Sequence, residues 1–164
     1  MATEVTGINQ VCWSEAQQQL DSTDLKNIKR FLTDLTVMEK RHGAIYTAVL
    51  VGSALTGGYN DVDLLLLSQN SEQYNPEEGY LKDFLNGYSQ QTGLAVEADR
   101  EIYKDEETWQ IVFEEGKPLH VLILHPVDRR WYDNVMYNLQ GFVGREESLA
   151  KKELRTFSLI DRTF

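Results

Sequence analysis

The sequence has little cysteine, little proline and no long apolar run. Cys12 is the single cysteine, which excludes a disulfide framework and a cysteine-based zinc site and is typical of a reducing cytoplasm. No segment reaches the roughly 18 apolar residues of a membrane span, and the polar start MATEVTGINQ lacks the layout of a signal peptide. The sequence therefore predicts a cytoplasmic protein that does not enter a membrane.

Basic residues are also scarce. The 164 residues include 16 Lys and Arg against 26 Asp and Glu, which gives a formal net charge of −10. A field of this sign repels polyanions and attracts metal cations, so we do not expect a nucleic-acid partner. The hydrophobic content of 41% is ordinary for a folded globular chain.

Apolar spacing predicts a helix over residues 24–42, followed by a strand over 45–51. The helix has one apolar face whose residues are spaced three and four apart, with Ser22 or Thr23 as N-cap and Gly43 just past its end. The residues on that face are Leu25, Ile28, Leu32, Leu35 and Met38.

The following pattern predicts a mixed sheet. Residues 62–67 are apolar on both faces, as in a strand that is covered on both sides. Asn75 and Pro76 are typical of a helix start, and that helix extends to about residue 91. Three β-like runs come next, at 94–103, 109–114 and 118–124. This order predicts an α/β or α+β domain in which helices flank a mixed β-sheet.

We divide the chain into three segments on this pattern. Residues 1–22 have weak periodicity and form an arm or a short helix. Residues 23–126 form the sheet-containing domain, and residues 127–164 form a C-terminal extension that packs on it.

Two carboxylates lie where the strand at 62–67 begins. Asp61 and Asp63 are two residues apart and therefore project from the same face of a strand. Their repulsion is removed by a divalent cation, and carboxylate oxygens are the protein ligands that Mg²⁺ prefers. Upstream, Gly52 permits a close approach and Ser53 offers a hydroxyl to a phosphate. The alternative is an ordinary turn at Gly52 and Ser53, followed by an acidic, solvent-facing strand end.

The whole stretch VLVGSALTGGYNDVDLLLL resembles the signature of the nucleotidyltransferase superfamily, which includes DNA polymerases of the beta type and small stand-alone members. In that family a Gly-Ser pair ends one strand and an acid–x–acid pair lies on the next. The resemblance covers roughly residues 24–126 and implies a nucleotidyltransferase-like fold with two Mg²⁺ ions and a nucleoside triphosphate substrate. It also implies that Asp61 and Asp63 are metal ligands and that Gly52 and Ser53 contact the triphosphate.

The resemblance places the family's third carboxylate in the run LHVLILHP, where His120 occupies that position. An imidazole can ligate a metal or accept a proton, although Mg²⁺ prefers oxygen, so His120 is a candidate catalytic residue. Glu97, Asp99 and Glu101 share one face of the run at 94–103, and one of them could replace the third acid if that strand lies beside the site; Glu97 is the candidate metal ligand. The alternatives are a histidine that is satisfied within the sheet and a glutamate on a solvated strand face.

Positive charge for the triphosphate has no obvious source near the Gly-Ser pair. Many members of the family carry a cation in the following loop, but no Lys or Arg occurs here between Arg41 and Lys82. Arg129 and Arg130 lie next to aromatic residues and are candidates to bind the nucleotide by pairing and stacking. The alternative is that both are surface arginines over a buried aromatic ring.

Two functions of different classes follow. The first is a metal-dependent nucleotidyltransferase that moves a nucleoside monophosphate from a nucleoside triphosphate to a hydroxyl of a small-molecule or protein acceptor. The second is a catalytically impaired domain of the same fold that binds a nucleotide or a protein. The resemblance also implies a homodimer or a small partner subunit.

Overall fold

The computed structural model of the chain describes residues 9–55, 57–68, 76–99, 106–124 and 156–163. Within these ranges the helices are α1 (Trp13–Gln19), α2 (Ser22–His42) and α3 (Pro76–Thr92). The strands are β1 (Asn9–Gln10), β2 (Tyr46–Val51), β3 (Val62–Ser68), β4 (Ala95–Asp99), β5 (Glu106–Val112), β6 (Leu119–Leu124) and β7 (Thr156–Leu159). None of the helices in this part of the chain is both long enough and apolar enough to cross a membrane.

The strands form one mixed sheet in the order β1-β7-β2-β3-β6-β5-β4. At its centre β3 and β6 run parallel, whereas β2 pairs antiparallel with β3, and β5 with β6. The mixed α/β class predicted from the sequence is confirmed. The sheet contains strands from all three sequence segments, because β1 pairs with β7 and β7 pairs with β2.

The central strand β3 is buried on both faces, as its sequence predicts. On one face Val62, Leu64 and Leu66 join the main hydrophobic core, and on the other face Leu65 is only 1% exposed. Burying a leucine side chain stabilises the fold by roughly 1.5–3 kcal/mol, so these contacts fix the position of β3. The α2 residues of the same core are Ile28, Phe31, Leu32, Leu35 and Met38.

The two ends of α2 differ in how well the sequence predicts them. Asp21 is the N-cap, and its Oδ1 accepts a hydrogen bond from the Thr23 backbone N–H at 3.3 Å. The expected cap at Ser22 or Thr23 is therefore wrong, because the preceding carboxylate satisfies the first free N–H groups. At the other end Gly43 has a left-handed φ of 69° and its N–H donates to the Glu39 carbonyl, as expected of a glycine that ends a helix.

Candidate metal centre

Three potential metal ligands converge at the N-terminal ends of β3 and β6. Asp61 lies in the loop just before β3, while Asp63 and His120 are the second residues of β3 and β6. The parallel register pairs Asp63 directly with His120. One ligand atom from each of the three side chains lies within 4.8 Å of the others. The sheet thus brings together the three residues that the sequence singles out as catalytic candidates.

The imidazole of His120 is held between the carboxylates and a glutamine. Its Nδ1 lies 3.3 Å from Asp61 Oδ2 and 3.3 Å from Asp63 Oδ1. On the other side of the ring, Nε2 lies 3.0 Å from Oε1 of Gln110. Two protonation states of the ring fit these distances. In the neutral ring with its hydrogen on Nε2, Gln110 Oε1 accepts that hydrogen and Nδ1 can ligate a metal, whereas in the protonated ring Nδ1–H donates to a carboxylate.

The two carboxylates repel each other, and a bound cation would lower this repulsion. The side chain of Asp63 is 5% exposed, and that of Asp61 is 36% exposed. Burial first, and repulsion from Asp63 second, raise the pKa of Asp61, while the positive charge of a protonated His120 opposes this shift. A divalent ion between the carboxylates would remove the repulsion.

Gly52 brings the end of β2 against the Asp63 carboxylate. It begins the 3₁₀ turn Gly52–Leu55, and its φ is 84°. A Cβ at this position would lie 2.6 Å from Asp63 Oδ2, so only glycine leaves the carboxylate where it is. Ser53 follows and is exposed, and its carbonyl accepts a hydrogen bond from Gly57 N at 3.0 Å. The Gly-Ser pair therefore lies beside the candidate metal ligands.

Asp24 supports the site from α2, which the sequence reasoning did not anticipate. It is 3% exposed, its Oδ2 accepts from the Tyr59 hydroxyl at 2.5 Å, and its Oδ1 accepts from the Lys117 backbone N–H at 2.7 Å. Tyr59 precedes Asp61 by two residues and Lys117 precedes His120 by three. One buried carboxylate therefore contacts both connections that lead to the metal donors. The sequence signal was an acid among the apolar positions of α2, which by itself is typical of any first helical turn.

Glu97 is placed away from the cluster. It is exposed on β4, and the register aligns it with Gln110, which in turn is aligned with His120. These residues share one face of the sheet, but neighbouring strands are about 4.8 Å apart, so the backbone of Glu97 is about 10 Å from that of His120. Arg129 and Arg130, the candidate nucleotide-binding residues, lie outside the described residues.

Comparison with known proteins gives no relative: no family model, no curated protein and no solved structure matches this chain. The fold and the site therefore define its class by themselves. It is a mixed α/β domain with a candidate centre for a divalent metal ion, formed by Asp61, Asp63 and His120.

Proposed function

We propose that this protein is a metal-dependent nucleotidyltransferase, which moves a nucleoside monophosphate from a nucleoside triphosphate to a hydroxyl of a small-molecule or protein acceptor. Asp61, Asp63 and His120 hold the metal in this proposal, and Gly52 and Ser53 lie against the triphosphate. Mg²⁺ is the ion that the resemblance implies.

The observation that carries the proposal is the contact between Gly52 and Asp63. A glycine with a left-handed φ ends β2, and the missing side chain leaves room for a carboxylate on the next strand. The sequence resemblance rests on these same two elements, a Gly-Ser pair after one strand and an acid–x–acid pair on the next. Their packing against each other supports a shared site for the phosphates and the metal.

The reaction needs little from the protein beyond positioning and charge. The oxygen of the acceptor hydroxyl forms a bond to the α-phosphorus, the bond from that phosphorus to pyrophosphate breaks, and the hydroxyl proton passes to water. A divalent ion supplies charge neutralisation for the phosphates. The task of the chain is to hold the ion with Asp61, Asp63 and His120 at the N-terminal ends of β3 and β6, where the Asp63 carboxylate is nearly buried.

The net charge of the protein supports the proposed acceptor class. A net charge of −10 opposes the approach of a polynucleotide. A small molecule or a protein avoids this repulsion, and such an acceptor is compatible with a monomer, a homodimer or a complex with a small partner subunit.

Nucleotide binding tests the proposal. Binding of the four nucleoside triphosphates is measured by calorimetry with a divalent ion and with EDTA, for the wild type and for Asp61→Ala combined with Asp63→Ala. We expect binding that requires the metal and is lost in the double variant. Glu97→Ala is the matched control, because it removes an exposed acid from the same face of the sheet without touching the cluster.

Transfer is then measured with nucleotides labelled at the α-phosphate, by label incorporation into pools of hydroxyl-bearing metabolites and proteins. Label in an acceptor together with released pyrophosphate is the expected result. Absence of any nucleotide binding by a folded wild-type protein would refute the proposal.

A second candidate, a nucleotide-binding module without catalysis, is favoured by the composition of the cluster. Among the described residues the site has two carboxylates and one imidazole, and Glu97 does not complete it. Metal-dependent nucleotide binding with no label transfer would favour this candidate. His120→Asp would then be the variant to assay for a gain of transfer.

A further inference from the structure

We propose that the Asp61–Asp63–His120 centre selects a first-row transition-metal ion over Mg²⁺. This preference deepens the proposed function and rests on it for the biological role of the ion. Metal binding itself is measurable without any activity.

The donor set is the first reason. Mg²⁺ binds oxygen ligands almost exclusively, whereas imidazole nitrogen is a ligand of ions such as Co²⁺, Fe²⁺ and Zn²⁺. The centre offers two carboxylates and one imidazole. Since Mg²⁺ gains little from the nitrogen while a transition-metal ion gains a third protein ligand, the difference in affinity depends on His120.

The spacing of the donors is the second reason. Donor atoms at about 2.0–2.1 Å from one ion, at angles of roughly 90–110°, are about 2.8–3.4 Å from each other. His120 Nδ1 is 3.3 Å from a carboxylate oxygen of Asp61 and 3.3 Å from one of Asp63. The imidazole is therefore already at the distance from both carboxylates that shared coordination requires.

Gln110 is the third reason. Its Oε1 lies 3.0 Å from His120 Nε2, a geometry in which Nε2–H can donate to Gln110 while Nδ1 ligates the ion. Metal-binding histidines commonly have such a partner on the second nitrogen, and loss of that partner typically costs about 10–100-fold in metal affinity. Gln110 is a positioning residue in this arrangement, since it acts on the ion only through the ring.

The side of the centre that faces solvent leaves room for further ligands. The side chains of Asp61 and His120 are 36% and 31% exposed, while Asp63 is nearly buried. Three protein donors with an open side are typical of sites that also bind water or a substrate. A phosphate oxygen of a nucleotide fits this description.

The same distances also suit a different arrangement, in which a protonated His120 bridges the two carboxylates without any metal. The two arrangements predict different effects when the imidazole of His120 is replaced by a carboxylate. A third carboxylate at position 120 would keep an oxygen site for Mg²⁺, whereas it would remove the ion pairs of a histidinium.

The test is a titration of the metal-free protein with Co²⁺ and with Mg²⁺. Calorimetry measures the binding of both ions, and visible absorption also monitors the binding of Co²⁺. We expect Co²⁺ to bind at least about 10-fold more tightly than Mg²⁺, with an absorption spectrum that changes in His120→Ala. His120→Asp should lower Co²⁺ affinity and keep or raise Mg²⁺ affinity. Glu97→Ala should change neither.

The role of Gln110 is tested by a pair of variants. Gln110→Leu should weaken Co²⁺ binding by about 10–100-fold with little effect on Mg²⁺, and Gln110→Glu, which still accepts the hydrogen bond, should restore it. Equal affinity for both ions, or Co²⁺ binding that is unchanged in His120→Asp, would overturn the preference while nucleotide binding could remain intact.

The two proposals fail separately. A Co²⁺ preference without any nucleotide binding keeps the metal assignment and removes the nucleotidyltransferase. Nucleotide binding that depends on Mg²⁺ and not on Co²⁺ keeps the nucleotidyltransferase and removes the preference for a transition-metal ion. A folded protein that binds neither ion overturns the metal assignment and leaves the histidinium bridge.

Discussion

Replacement of Gly52 by alanine should separate backbone strain from damage to the metal centre. The φ of Gly52 is 84°, a conformation that costs a residue with a Cβ about 1–2 kcal/mol. The new Cβ would also lie 2.6 Å from Asp63 Oδ2, whereas ordinary contacts begin at 3.4 Å. The Asp63 carboxylate, whose Oδ1 lies 3.3 Å from His120 Nδ1, must therefore leave the position in which it would share the proposed ion with His120.

Gly57 provides the matched control. It is also in the left-handed region, with a φ of 94°, but a Cβ there would meet no atom within 4 Å. Gly52→Ala and Gly57→Ala should thus both lower the free energy of unfolding by about 1–2 kcal/mol. Only Gly52→Ala should also weaken metal binding, by about 10–100-fold, the range seen when a ligand loses its support.

The assay combines two measurements on each variant, urea unfolding in EDTA and calorimetric titration with Co²⁺. Unfolding reports the backbone term, and the titration at low temperature, where both variants are folded, reports the contact with Asp63. Equal metal affinity in the two variants would refute the reasoning, because it would show that the Asp63 carboxylate does not need the space beside Gly52.

Three further predictions concern the polar contacts of the fold. Asp24→Asn leaves one of the two hydrogen bonds of a buried carboxylate unmade, so the free energy of unfolding measured in urea should fall by about 1–3 kcal/mol. An unchanged free energy would show that the contacts of Asp24 do not stabilise the fold. Burial, and next its hydrogen bond to Asp24, raise the pKa of Tyr59 from 10.0 to about 12. Between these two pH values the folded protein keeps a proton that the unfolded chain has lost. The stabilisation is therefore full below about pH 10 and falls as the pH rises toward 12. Tyr59→Phe should reduce this alkaline loss by about 1–2 kcal/mol: the full rise in pKa corresponds to about 2.7 kcal/mol, and solvent screening at the partly exposed Tyr59 lowers that figure. Thermal melts between pH 8 and 12 that remain parallel for both proteins would refute it. Arg162→Met leaves the buried Glu39 without the guanidinium that donates to it at 2.8 Å, so the free energy of unfolding in urea should fall by about 3 kcal/mol or more. The double variant, in which Glu39 is also replaced by Met, should recover much of that loss.

The sequence predicts those parts of the site that depend on one strand or one helix. Alternation placed Asp61 and Asp63 at the mouth of a strand buried on both faces, and helical spacing located α2. Alternation gives faces within one strand only, so it shows neither that His120 and Glu97 share a face nor which strand lies between theirs. Strand order depends on which edges pair during packing, and β5 lies between β6 and β4, so Glu97 stays outside the centre.

Long-range polar contacts are the part that sequence patterns did not reveal. Asp24 and Gln110 have no local signal: one partner of Asp24 is 93 residues away in the chain, and Gln110 meets His120 only through the register of β5 and β6. β7 is similar. Its four residues pair with β2, and a segment this short, next to charged residues, has too little periodicity to be predicted as a strand.

The parallel pairing of β3 with β6 has a consequence for how the protein folds. The metal donors lie on two strands that are separated in the chain by α3, β4 and β5, so the donors meet only after this non-local pairing has formed. Such contacts are slow to form because the intervening chain must first be ordered. A bound ion would then stabilise a contact that forms late in folding. At a free metal concentration of about 100 times the dissociation constant, binding would stabilise the native state by about 2.7 kcal/mol. Stopped-flow refolding with Co²⁺ would show the absorption of the bound ion appearing with the last phase, which makes the metal a built-in reporter of completed folding.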